Sequence, residues 1–138
     1  MSDLVLDASL ALQWFLEDEA GRHYSLSVLA RLAEKRALVP WLWFYEVGNG
    51  LLMAHRRSRI TPEQMDGFLR RLQALPIDLA PETPADVLAL PALARTHMLS
   101  NYDAAYWGLA GKSNLPLATT DQLLRKAAAA AGVKLWTA

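Results

Sequence analysis

The chain has 138 residues, no cysteine, and 14 basic side chains against 14 acidic ones. That length fits one domain over residues 1–138, and a hydrophobic share of 53% supplies a core and excludes disorder over most of the chain. Without cysteine there is no disulfide scaffold, thiolate zinc site or thiol nucleophile, which suits a reducing cytoplasm; no run of about 18 apolar residues is present to span a membrane, and zero net charge gives no global pull toward nucleic acid.

The first residues lack a basic segment and carry Asp3 and Asp7, so they do not read as a signal peptide. Leu4 to Leu6 reads as a first strand, and Ser9 to Phe15 and Gly21 to Arg36 as helices, with Glu17-Asp18-Glu19 as a solvated turn between them. Ala37 to Val39 is a short strand stopped by Pro40, and Trp41 to Arg57 is a helix. Thr61-Pro62-Glu63-Gln64 supplies an N-cap, a proline at the first helical position and a first-turn acid, opening a helix to about Leu75. Ile77 to Leu79 is a strand, and Thr83-Pro84 opens the next helix in the same way, to about Met98. Asp103 to Gly111 is a helix, Leu115 to Ala118 a strand, Asp121 to Ala131 a helix closed by Gly132, and Val133 to Trp136 a last strand.

Strands alternating with helices predict an α/β fold, with a parallel sheet covered on both faces. Ligands of such sheets bind at the carboxyl ends of the strands. Asp7 follows the first strand and Asp121 the fourth, so the two carboxylates meet at one rim if those strands are neighbours. Each also reads as a helix N-cap, and Asp103 fits a loose capping pattern with Ser100. Glu46 is more informative. At about 100° per residue Trp43, Gly50 and Met53 share its side of the helix, so its carboxylate is partly enclosed by apolar groups and needs a partner or a cation. Gly48 and Gly50 leave space there for another chain segment or a ligand. Gathered carboxylates repel, and their oxygens are the donors that Mg²⁺ and Mn²⁺ prefer. Such ions activate water and polarise a phosphodiester, which is nuclease chemistry.

The motifs carry a resemblance. Val5-Leu6-Asp7-Ala8-Ser9-Leu10-Ala11-Leu12-Gln13-Trp14-Phe15 is similar to the opening of PIN-domain proteins of the VapC toxin type. Glu46-Val47-Gly48-Asn49 resembles their second motif, with Gly48 where Ala is more usual. Tyr102-Asp103-Ala104-Ala105-Tyr106 and Leu117-Ala118-Thr119-Thr120-Asp121 resemble the third and fourth. The resemblance implies a three-layer sandwich with a central parallel sheet of about five strands. It also implies a Mg²⁺- or Mn²⁺-dependent endoribonuclease acting on RNA, a cognate antitoxin and a homodimer. Carried over, Asp7 and Asp103 are the main metal ligands, Glu46 and Asp121 complete the catalytic site, and Ser9, Asn49 and Thr119 support it or contact phosphate. Arg56 and Arg57, with Arg59, are candidates for gripping an RNA backbone.

Other features carry less. His23, His55 and His97 lack metal-ligand spacing, Ser9 has no evident histidine partner, and no glycine-rich phosphate loop occurs. Trp41 and Trp43 read as core or interface, and the apolar stretch from Trp41 to Met53 as surface for a second copy or an antitoxin segment. Two rival functions remain. One is a PIN-like module that binds RNA or protein without cutting. The other is a phosphoacceptor domain, which normally pairs adjacent acids after its first strand, where Asp7 stands alone.

Overall fold

The computed structural model describes residues 1–16 and 21–137. The acidic run Glu17-Asp18-Glu19, expected as a solvated turn, lies outside the described residues. Four parallel strands form the sheet: β1 (Leu4–Leu6), β2 (Ala37–Val39), β3 (Ile77–Leu79) and β4 (Leu117–Ala118), in the order β3-β2-β1-β4. Leu4 and Val5 pair with Ala37 and Leu38 on one side of β1, and Val5 and Leu6 with Leu117 and Ala118 on the other. β1 is apolar throughout and fully buried, as a central parallel strand covered on both faces must be.

Eight helices are described: α1 (Ala8–Leu12), α2 (Arg22–Arg31), α3 (Trp41–Arg56), α4 (Pro62–Gln73), α5 (Pro84–Leu88), α6 (Leu90–His97), α7 (Asn101–Ser113) and α8 (Gln122–Ala131). Thr61 and Thr83 each close a capping box ahead of a first-turn proline, so the helix starts expected there are present. The core joins β1 to Trp43, Val47 and Leu51 of α3 and to Tyr106 and Ala110 of α7.

Several boundaries differ from expectation, each for a local reason. After Leu12 the amides of Gln13, Trp14 and Phe15 bond three residues back, so α1 tightens and stops before Phe15. α2 ends at Arg31 rather than Arg36, because the Arg36 amide and carbonyl are taken by the Asp3 side chain and backbone as the chain enters β2. The helix expected from Thr83 to Met98 is two, since Pro91 has no N–H to offer across the break. α7 begins two residues earlier than expected because Ser100 caps it. Pro116 shortens β4, and the expected strand from Val133 to Trp136 reduces to one parallel bridge between Leu117 and Leu135. Among the described residues no helix is long and apolar enough to cross a membrane.

Candidate active site

β1 and β4 are neighbours, so the residues that follow them share one rim of the sheet. The Asp7 amide bonds the Ala118 carbonyl at 3.0 Å, fixing the end of β1 beside the end of β4. Asp7 is the N-cap of α1 and is only 4% exposed. Its Oδ2 accepts the Ser9 hydroxyl at 2.6 Å and the Thr119 hydroxyl at 2.7 Å. Thr119 Oγ1 in turn accepts the Asp121 amide at 3.0 Å, so one buried hydroxyl links two acids. Asp121 caps α8, with Oδ1 accepting the Leu124 amide at 3.0 Å.

Asp103 lies in the first turn of α7, its amide capped by Ser100 Oγ at 3.0 Å. Glu46 comes from the middle of α3, and its Oε1 accepts the Tyr106 hydroxyl at 2.6 Å. Asp7, Glu46, Asp103 and Asp121, with Ser9 and Asn49, line one cavity of about 240 Å³ at the carboxyl end of the strands. Capping and cavity lining are compatible at Asp7 and Asp121: the cap takes one lone pair of Oδ1, and even Asp7, whose Oδ2 holds two hydroxyls, keeps a lone pair on Oδ1 for a ligand.

The electrostatics follow from this crowding. Burial pushes the Asp7 carboxyl up, against the hydrogen bonds from Ser9 and Thr119, and the charge of Asp121 adds to the rise. Burial also raises Glu46, opposed by the Tyr106 hydrogen bond and reinforced by Asp7 and Asp103. Asp103 is raised by burial and by the charges of Asp121 and Asp7. The amino ends of α7 and α8 bring positive dipole ends to the same rim and offset part of the repulsion.

Carboxylate oxygens in an open cavity suit a hard divalent cation such as Mg²⁺ or Mn²⁺. Among the described residues no three acids close into a finished cage. Asp7, Glu46, Asp103 and Asp121 are the residues that would hold such an ion, and it would supply positive charge among them.

Ser9, Asn49 and Thr119 all stand at the site, Thr119 beneath it as a buried tie. Arg56 ends α3 and Arg57 caps it, about 15 Å along the helix from Glu46, and neither lines the cavity. Two groups beside the site, Tyr106 and Arg125, were given no role from the sequence. Tyr106 is one turn beyond Asp103, a spacing that places both on one face of α7. Arg125 bonds the Thr119 carbonyl at 2.7 Å and lies 5.3 Å from the Tyr24 ring, bracing the end of β4.

Comparisons with known proteins bear on the family and the fold. The PIN domain family matches residues 4–130. PAE2754 from Pyrobaculum aerophilum has a similar structure, with a TM-score of 0.70 and 22% identity, over 91% of this chain and 84% of that one. VapBC2 from Rickettsia felis, solved bound to a DNA fragment from its promoter, contains a chain with a TM-score of 0.58 and 14% identity, over 89% of this chain and 91% of that one. At these identities the likeness is one of fold. No curated protein matches the chain. From the family match over nearly its whole length, the chain belongs to the PIN domain family.

Proposed function

We propose that this chain is a Mg²⁺- or Mn²⁺-dependent endoribonuclease of the cytoplasm, and the toxin of a toxin–antitoxin pair. The observation that carries the reading is that all four motif acids, from four separate segments, line one cavity at the strand ends. Family membership supports nuclease chemistry, and the motif resemblance to VapC proteins supports the toxin role.

A divalent cation bound there supplies positive charge that activates water and offsets charge gathering on a phosphodiester. The chain's own contribution is placement. Thr119 and Ser9 hold Asp7 in one rotamer. Asp121 is fixed by its cap to α8, and Asp103 is carried on the capped first turn of α7. To Asn49, which is exposed and lines the cavity, we assign donation to a phosphate oxygen. Arg56 and Arg57 are too far away to touch the scissile group, and they serve to hold RNA beyond it.

The surface for an antitoxin segment or a second copy lies on α3. Trp43 is in the core, but Trp41 is 57% and Tyr45 75% exposed, with Phe44 beside them. The test is cleavage of single-stranded RNA by purified protein with added Mn²⁺ or Mg²⁺, and its loss in excess EDTA. Undiminished cleavage in EDTA, or RNA binding without cleavage under any metal condition, overturns the reading. Light scattering of the same preparation should give a dimer mass.

A further inference from the structure

Glu46 is delivered to the cavity by a helix other than those carrying the three aspartates, on a side chain with three rotatable bonds. Its placement therefore needs a cause. Among the described residues its one side-chain hydrogen bond is from Tyr106, whose hydroxyl donates to Oε1 at 2.6 Å. The Tyr106 ring is packed in the core at 1% exposure, so this donor does not swing. Tyr106 also sits one turn beyond Asp103 on α7. Asp103 and the hydroxyl that grips Glu46 are thus parts of one rigid helix.

We infer that Tyr106 is a positioning residue for cation binding: by bonding Oε1 it sets Glu46 against Asp103 and turns the remaining carboxylate lone pairs to the cavity. The inference rests on the metal-dependent reading above. The phenol itself touches neither metal nor substrate, and acts through Glu46. Groups that orient ligands in this way fix their geometry before the ion arrives, and their loss costs roughly 10–100-fold in metal affinity.

The test is calorimetric titration of metal-free protein with Mn²⁺, for wild type, Tyr106→Phe, Glu46→Ala and the double variant, with the melting temperature of each. Phenylalanine keeps the ring in the core and removes one oxygen. Tyr106→Phe should weaken Mn²⁺ binding about 10–100-fold. In the Glu46→Ala background the same change should alter affinity by no more than about twofold, because nothing remains to position. Tyr106→Phe binding Mn²⁺ as tightly as wild type, whatever its melting temperature, overturns the inference and leaves the metal reading standing. Equal weakening in both backgrounds overturns it too. Wild type that binds no Mn²⁺ would instead sink the metal reading, and this inference with it.

Discussion

Glu46 has Trp43 one turn before it and Gly50 one turn after, and its partner is a phenol rather than a cation. That pairing fixes what Glu46→Gln does. The amide oxygen can still accept from Tyr106, so the shape survives while the charge goes. Cleavage should fall by roughly two orders of magnitude or more, since even the groups that orient a metal ligand cost 10–100-fold. Metal-free stability should hold or rise at neutral pH. The sign follows from burial, which lifts the Glu46 carboxyl above its ordinary 4.5. A raised acid favours the folded state when protonated; that stabilisation is complete below the ordinary value and is lost as pH climbs through the folded one. The advantage of glutamine in melting temperature should therefore open above that range and close in acid. A glutamate paired with a buried arginine would behave oppositely, losing about 3–5 kcal/mol on substitution. Melting curves across pH, with RNA cleavage of the same samples, separate the two; a large loss of metal-free stability with cleavage intact would remove Glu46 from the site. At this scale the four acids were legible in the sequence, because each sits in a recognisable local motif, and the fold brings all four to one cavity. The sequence could not show Tyr106 on Glu46, because that contact joins α3 to α7 across the core.

The two glycines of α3 look alike in the sequence and differ in the fold. A Cβ at Gly48 would meet nothing within 4 Å, whereas at Gly50 it would lie 2.5 Å from the Leu12 side chain of α1. Gly48→Ala should thus gain about 1 kcal/mol of helix stability, the ordinary difference between the two residues. Gly50→Ala has the same helical gain, but overpacking against Leu12 costs about 1–3 kcal/mol. It should leave stability lowered by up to ~2 kcal/mol, unless Leu12 rotates away without cost. Urea denaturation of both variants checks this, and a gain of equal size at both positions would contradict the close packing of α1 on α3. Element starts were legible because caps are local: Thr61-Pro62 and Thr83-Pro84 announce their helices without help from the rest of the chain. Element ends were less so. The stop of α2 depends on Asp3 reaching Arg36. The fate of the segment from Val133 to Trp136 depends on β4, whose Leu117 alone bonds it, through amide to Lys134 and carbonyl to Trp136.

Strand order is the property of the whole molecule that the sequence could not give, and it brings Asp7 and Asp121 together by seating β4 beside β1. The consequence is that the acids of one cavity come from the β1–α1 junction, α3, α7 and the β4–α8 junction. A cation bound among them ties together parts of the chain that are far apart in sequence and that separate on unfolding. Binding should therefore stabilise the entire fold rather than one segment. At a free Mn²⁺ concentration about 100 times its dissociation constant the gain is about 2.7 kcal/mol. For a domain of this size that corresponds to a rise in melting temperature of roughly 10 °C. Net charge is zero over the whole chain, with 14 basic and 14 acidic side chains, so simple salt has no global repulsion to relieve. It can only screen the cavity acids, and weakly, because they are partly buried. Sodium chloride at matched ionic strength should accordingly give a much smaller rise, and Asp7→Asn or Asp103→Asn should lose most of the response to Mn²⁺. Equal shifts with sodium and manganese, or a full manganese shift in Asp7→Asn, would mean that the cavity repels charge without holding an ion. Scanning calorimetry over a Mn²⁺ titration measures this without any RNA substrate, and so separates ion binding from cleavage.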